Sequence, residues 1–251
     1  MKVCVITGAA SGIGAALAIV FISQGYKVIG VDRDQKRTLE LQEKVGQRID
    51  FVIADLSSAE ALACAIKKLP AKVDVFIHSA GINAVGEFET MDIKKQLAVL
   101  DINLKAPLQL TRALLAQNVL TKDSSLVFIS SLSHFVSYPG AAVYAASKDG
   151  LASYARSLSV ALKSKGIHVM TVFPGPTRTP HAREYSPDNR RENKRMLPEV
   201  LAKKIYRGLE HHQHTLVPGF SNKVFAWAGR FLPKLTESMM KRVLFDKLKN
   251  P

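Results

Sequence analysis

Tyr144 and Lys148 stand four residues apart at the head of an Ala-rich run, YAASKDGLASYARSLSVALKS, made of strong helix formers. At that spacing they share a helical face one turn apart, which sets an ammonium beside a phenol. A phenol ionises at about 10, and a cation within about 4–6 Å lowers that by about 1–3 units. Tyr144 is therefore expected to exchange a proton near neutral pH, as a general acid or base must. A tyrosine and a lysine four apart also arise in helices by chance, so the pair needs support from its surroundings. Just upstream, SSLVFIS is a short, apolar, partly β-branched run that reads as a buried strand with Ser130 and Ser131 at its C-terminal end. In open α/β sheets ligands bind outside the carboxyl ends of the strands. A hydroxyl there, with a phenol and a lysine on the next helix, makes a site for a carbonyl or an alcohol.

The elements that must hold this site begin at the N-terminus. KVCVIT reads as a strand, TGAASGIG as a turn and GAALAIVFISQG as a helix. Gly8, Gly12 and Gly14 permit a tight turn and bring backbone N–H groups, with Ser11 and Ile13 among them, toward a pyrophosphate at the helix N-terminus. The next strand, YKVIGV, ends in Asp32-Arg33. An acid about 20 positions beyond the glycines is placed to accept from a ribose 2′-OH, which favours NAD, whereas Arg33 suits the 2′-phosphate of NADP. The expectation is NAD, with NADP possible. A helix over 35–46 and a strand, IDFVIAD, bring Asp55 and Leu56 to the place for an adenine, and Ser57 with Glu60 forms a capping box for the helix that follows. VDVFIH is a fourth strand, after which Ala80 and Gly81 let the backbone pass close to a cofactor. Asn103 is a polar residue on an otherwise apolar helix. It reads either as a hydrogen-bonded core residue that distorts the helix or as the holder of a water in a proton relay from Lys148. A sixth strand, GIHVMTVF, gives way to Pro174, Gly175, Pro176, Thr177, Thr179 and Pro180, because proline fixes φ and lacks an N–H. Residues 181–197 are polar, basic and without apolar periodicity, which reads as a lid over a substrate.

Taken together, Thr7-Gly8-x-x-x-Gly12-x-Gly14, Asp32, Asp55, Ala80-Gly81, Asn103, Ser131, Tyr144-x-x-x-Lys148 and Pro174-Gly175 with Thr179 resemble the short-chain dehydrogenase/reductase family over residues 2–220. The resemblance implies that Tyr144 is the proton donor or acceptor and that Ser131 orients the substrate oxygen. It further implies that Lys148 lowers the tyrosine pKa and holds the nicotinamide ribose, that Asn103 supports the relay, and that Ile13, Pro174, Thr177 and Thr179 line the nicotinamide. Hydride would pass between the nicotinamide and a carbinol carbon, on a bulky lipid-like or steroid-like substrate. A homodimer or homotetramer is implied as well. The chain departs from the family at His78-Ser79-Ala80-Gly81, where Ser79 lacks an amide expected to help fix the central sheet. A sugar-nucleotide epimerase and a non-catalytic dinucleotide-binding or scaffold protein are the other function classes considered.

With 251 residues, 47% of them hydrophobic and 22% charged, the chain suits one doubly wound α/β domain of the Rossmann type, a parallel sheet of about seven strands with helices on both faces. Cys4 and Cys64 show no metal-like spacing and are expected to be small core residues in a reducing, cytoplasmic setting. No metal site is expected. The uncharged stretch before Lys27 is broken by glycines and polar residues, so a strand, turn and helix are expected there and not a signal peptide. The net charge of +14 is uneven: residues 181–251 hold 15 Lys and Arg against 7 Asp and Glu. No zinc-finger, RNP or RGG pattern accompanies it, which argues against nucleic acid. Residues 221–251 form a basic amphipathic extension with Val224, Trp227, Phe231, Leu235, Met239 and Val243 at helical spacing, between Lys234, Lys241, Arg242, Lys247 and Lys249. The stripe is expected to pack on the domain or a neighbouring subunit, with peripheral membrane contact or cover of a substrate entrance as the alternatives.

Overall fold

In the computed structural model, which describes residues 1–186 and 188–246, the chain starts with a strand buried on both faces, β1 (Val3–Thr7). Its side chains alternate between two apolar clusters, Cys4 and Ile6 in one and Val5 in the other. The same period of two runs through β4 (Val75–His78), β5 (Ser125–Ile129) and β6 (His168–Val172). Val75, Ile77, Val127, Ile129, Met170 and Val172 meet the first cluster, while Phe76, Leu126, Phe128 and Val169 meet the second. Strands buried on both faces need helices on both, as parallel sheets do.

β2 (Lys27–Asp32), β3 (Ile49–Ile53) and the two-residue β7 (Thr215–Leu216) complete a seven-stranded parallel sheet in the order β3-β2-β1-β4-β5-β6-β7. One face carries α1 (Gly12–Ser23), α2 (Gln35–Val45) through Leu41, and α8 (Pro198–Glu210). The other carries α3 (Ala59–Lys67), α5 (Ala106–Ala116) and α6 (Ala142–Ala161). Helix α4 (Ile93–Leu100) leads into α5 through a π-turn over Asp101–Lys105. After β6 come the short α7 (Pro180–Glu184), then α8, then α9 (Phe220–Phe231) and α10 (Pro233–Met240) beyond β7. The strand order reverses between β1 and β4, which opens a crevice at their carboxyl ends.

Two local expectations are corrected, and a third, for the C-terminal stripe, is narrowed to a cover other than its own domain. Helix α3 is capped by Ser58, whose side chain accepts from the Ala61 N–H, while Ser57 turns back to Asp55. Cys64 is exposed on α3, because the helix presents Leu62 and Ala65 to the sheet and Cys64 points between them to solvent; Cys4 is buried as expected. The apolar stripe of the C-terminal extension faces outward. Pro187, Lys247 and Lys249 lie outside the described residues.

At the departure His78-Ser79, the structure shows how this chain holds its central strands. His78 is buried, its ring sits 4.8 Å from Phe128 and 4.7 Å from Phe76, and Nε2 pairs with Thr111 Oγ1 on α5 at 3.0 Å. Nδ1 has no partner. Burial lowers the His78 pKa to about 3. The folded pKa lies below the unfolded one of about 6.5, so His78 costs the fold nothing above pH 6.5 and progressively more as pH falls toward 3. We expect wild type to lose about 2–3 kcal/mol more than His78→Asn between pH 6.5 and 4.5 in urea denaturation, at about 1.4 kcal/mol per pH unit. Equal losses in the two proteins would show that His78 does not titrate against the fold.

Candidate active site

Each loop at the crevice is shaped by contacts that leave no room for a larger residue. Gly8, at φ +68°, lies so close to β4's exit that a Cβ there would sit 2.8 Å from Ala80 Cα. Thr7 Oγ1 ties the same two loops together, accepting from the Ser79 and Ala80 N–H groups at 3.1 Å each. Ser11 precedes α1 in extended backbone and caps none of its N–H groups. The first turn of α1 therefore keeps its unpaired N–H groups and their partial positive charge for an anion. Ile13 packs inward on the core below this turn, and a Cβ on Gly14 would run into the Gly8 carbonyl.

Asp32 ends β2 and accepts from Ala10 N–H at 2.9 Å and from Asp34 N–H at 3.0 Å, so it braces the glycine loop as well as facing the crevice. Arg33 reaches Asp55 at 3.3 Å, an exposed pair of small energetic weight. Burial pushes the Asp55 carboxyl up, but hydrogen bonds from Ser57 N–H and Oγ, with Arg33, outweigh it and hold Asp55 below its usual value. Leu56 packs on the core under the α3 side. Across the crevice Pro174 O accepts from Leu132 N–H at 2.9 Å, and Thr177 Oγ1 donates to Gly175 O at 3.1 Å. Thr179 caps α7 through Ala182 N–H at 3.0 Å, and its methyl lies against Gly12, where a Cβ would come within 3.2 Å. The loops after β1 and β6 thus meet over the crevice.

Helix α6 presents Tyr144 and Lys148 one turn apart, with Lys148 Nζ 5.7 Å from the Tyr144 ring centroid. Ser131, whose Oγ accepts from Ser133 N–H at 3.1 Å, stands beside the Tyr144 hydroxyl and favours its ionised form. Lys148 is buried and donates to Ile129 O at 2.9 Å, and Ser130 Oγ donates to the Lys148 carbonyl at 2.9 Å. A Cβ on Gly81 would sit 3.3 Å from Lys148 Nζ and 3.2 Å from Asn103 Oδ1, close enough that both side chains would have to give by a few tenths of an ångström.

The electrostatics overturn one expectation. Burial pushes Tyr144 up to about 12, an effect that the Ser131 hydrogen bond reduces and the nearby Tyr138 adds to. Burial also lowers Lys148 to about 8. In this state the lysine does not hold Tyr144 below its ordinary value, because the low dielectric that would strengthen the attraction penalises both charged forms first. Asn103, fully buried in the π-turn, accepts from Ile82 N–H at 2.8 Å and donates to Ile82 O at 2.9 Å and Ser147 Oγ at 3.0 Å. Ser147 Oγ in turn donates to Tyr144 O at 2.7 Å. The Asn103 amide therefore clamps the strand exit at Gly81-Ile82 to the helix that carries Tyr144.

Residues 181–197 fold as a stitched flap. Arg183 pairs with Glu192 at 2.9 Å, Arg190 with Asp188 at 2.9 Å, and Arg195 binds Ala182 O, Ser186 Oγ, Asp188 O and Asn189 Oδ1. Sequence reasoning missed three residues near the reacting groups. Tyr138 meets the Tyr144 ring edge-on at 6.0 Å and is hydrogen-bonded to Asn83. His181 stands close enough to Lys148 that burial, and then the lysine charge, lower its pKa. His134 pairs with Asp149 at 3.0 Å and stacks on Phe173. An aromatic beside proline (Tyr138-Pro139) and a histidine just after Thr179-Pro180 were the available signals. Among the described residues no group of three His, Cys, Asp or Glu could hold a metal ion.

The crevice fits a dinucleotide. Glycines whose Cβ would fill it, an uncapped helix N-terminus for a pyrophosphate and a carboxylate at the end of β2 converge there. The model of one family, short chain dehydrogenase, matches residues 2–190. Among curated proteins, Dehydrogenase/reductase SDR family member 7B of Danio rerio is 34% identical over 190 residues, 71% of this chain, and the match spans 62% of that relative's length. Oxidoreductase UcpA of Escherichia coli is 31% identical over 211 residues, covering 81% of this chain and 80% of the relative. Two solved structures share the fold. The bulky-bulky ketone specific alcohol dehydrogenase from Comamonas testosteroni matches with TM-score 0.76 and 26% identity, over 88% of this chain and 87% of that one. The 3-ketoacyl-(acyl-carrier-protein) reductase from Brucella melitensis, complexed with NADH, matches with TM-score 0.77 and 22% identity, over 86% of this chain and 96% of that one. The glycine turn, the serine and the Tyr-x-x-x-Lys helix all fall inside the matched span, and the chain belongs to the short chain dehydrogenase family.

Proposed function

We propose that the chain is an NAD(P)-dependent oxidoreductase that reduces a ketone to a secondary alcohol on a bulky apolar substrate, and that Tyr144 is the proton donor. The observation that carries this reading is Tyr144 and Lys148 one turn apart on α6, Nζ 5.7 Å from the ring centroid, beside Ser131 at the end of β5. Bound in the crevice, a reduced nicotinamide supplies hydride to the carbonyl carbon. Ser131 Oγ and the Tyr144 hydroxyl both donate to the carbonyl oxygen, and Tyr144 passes its proton to that oxygen as negative charge develops on it. A hydroxyl held near pKa 12 keeps its proton across the neutral range, so Tyr144 rests in the form that can donate. Lys148, charged below about 8, then stabilises the phenolate left behind and, with the dinucleotide bound, would be the residue to hold its ribose hydroxyls. Asn103 keeps Gly81-Ile82 and α6 in register while this happens.

Asp32, a carboxylate at the end of β2 that would accept from a ribose 2′-OH and repel a 2′-phosphate, supports NAD over NADP. A bulky apolar substrate is supported by the Tyr138 ring set edge-on against Tyr144, and by the solved relative named for bulky ketones. Assembly as a homodimer or homotetramer, cytoplasmic location, the lid role of 181–197 and the division into a catalytic region over 1–220 and an extension over 221–251 belong to the same reading.

Two results are expected. Consumption of NADH with a panel of aliphatic, steroid and acyl-thioester ketones should fall by about 10²–10⁴-fold in Tyr144→Phe, with NADPH the poorer donor. Undiminished turnover in that variant would remove Tyr144 from the chemistry, and a preference for NADPH would remove the role given to Asp32. The second concerns Lys148. Its folded pKa is depressed, so the fold is penalised in full below about 8 and not at all above about 10.5. Against the lost hydrogen bond to Ile129 O, Lys148→Met should be about 2 kcal/mol more stable than wild type at pH 7, and the gain should vanish by about pH 10.5. A variant equally destabilised at both pH values would contradict the buried-charge account.

A further inference from the structure

Helix α9 seats one side on the catalytic loops and leaves the other bare. A Cβ on Gly229 would strike the Phe135 carbonyl, and Asn222 packs against Gly175, so the face holding Asn222, Ala226 and Gly229 is closed against the loops after β5 and β6. At about 100° per residue, Phe220, Val224, Trp227 and Phe231 fall within an arc of about 60° on the opposite side. They are 84%, 50%, 59% and 60% exposed. Lys223 and Arg230 stand beside this arc, and both are exposed. Helix α10 adds exposed Leu235 and Met239, with Lys234 next to them and Lys241, Arg242 and Val243 just beyond. Over residues 220–246, five Lys and Arg face two acids, Glu237 and Asp246.

We infer that this face is an interfacial docking surface for an anionic phospholipid bilayer, with Trp227 and Phe231 in the acyl-headgroup boundary and Lys223, Arg230 and Lys234 on the headgroup phosphates. Among the described residues no helix is long and apolar enough to cross a membrane, so the contact lies in the surface plane. An aromatic-rich arc bordered by cations is complementary to that surface, and each basic residue near it contributes about 1 kcal/mol. A second copy of the chain is the poorer occupant. An isologous pairing of this face sets Lys223 and Arg230 near their own images, on a chain that already carries a net charge of +14. The inference stands apart from the reaction proposed above, since binding to lipid needs no turnover. Its consequence for the enzyme is positional: the face backs directly on the Phe135 and Gly175 loops, so an apolar substrate dissolved in the bilayer would reach the site beside the headgroups.

Trp227 is the only tryptophan, so its emission reports this face alone. The full chain should be titrated with vesicles of phosphatidylcholine alone and with about a third phosphatidylserine, and binding confirmed by flotation. The expected result is a blue shift and flotation with the anionic vesicles only, with affinity at least about thirtyfold weaker in Lys223→Glu/Arg230→Glu and lost in Phe231→Glu, whose folding is checked by circular dichroism. Unchanged Trp227 emission and no flotation with either vesicle would overturn the inference. So would a sedimentation result in which wild type is an oligomer, Phe231→Glu a monomer, and neither floats, which would assign the face to a second copy.

Discussion

Lys148 brings an amine into a place where water does not follow, and the catalytic end of the sheet is arranged around accommodating it. Its Nζ has the Ile129 carbonyl as acceptor, its own carbonyl takes the Ser130 hydroxyl, and Gly81 passes it without a side chain. Burial lowers it to about 8, so near neutrality it is charged at a real cost to the fold. Such a cost is retained where the charge acts on something, and the neighbour one turn away is Tyr144. Tyr144 beside it is half-buried and keeps its proton, and the dryness around Nζ makes the lysine charge effective once a phenolate forms. In the function proposed here the two shifts are halves of one device: a donor that holds its proton until a carbonyl oxygen calls for it, and a cation that steadies what remains.

The rest of the molecule fixes where that device points. The strand order turns around between β1 and β4, and at that turn the backbone at Gly8 touches Ala80 while Thr7 pins both loops. This contact sets the crevice width on the dinucleotide side. Asn103 performs the matching task on the catalytic side, joining Ile82 to Ser147 and so to the first turn of α6. The π-turn that holds Asn103 inserts an extra residue into the helix ladder, a distortion sustained by those three hydrogen bonds. Helix α9 then walls the substrate side, its closed face on the catalytic loops and its apolar face in solvent.

Much of this was legible from residue order. Period-two burial, apolar strands ending in glycines or serines, and the Tyr-x-x-x-Lys helix specify a parallel sheet and its functional edge, and every strand anticipated is present. The misses have physical causes. Ser57 and Ser58 are adjacent and both can cap; Asp55 draws Ser57 away, which leaves Ser58 for α3. Cys64 was taken as core on composition, but its place on α3 between Leu62 and Ala65 turns it outward. The direction of the Tyr144 shift depends on how deeply phenol and ammonium are buried, which four-residue spacing does not encode. His181 approaches Lys148 only because Thr179 folds the loop after β6 back over Gly12. The outward stripe on α9 has the same periodicity as an inward one; the small residues Ala226 and Gly229, which let the other side approach the Phe135 loop, decide between them.

The ionisation of Tyr144 in the unliganded protein is the most direct test of this account. Phenolate absorbance near 295 nm, followed against pH as the difference between wild type and Tyr144→Phe, isolates this tyrosine from the other five. The account predicts a transition near the value of about 12 to which burial pushes Tyr144, well past the ordinary tyrosine value of about 10. A transition between about pH 7 and 9 would mean that Lys148 already holds Tyr144 as a ready base, and would contradict both the burial-dominated site and a resting tyrosine that keeps its proton.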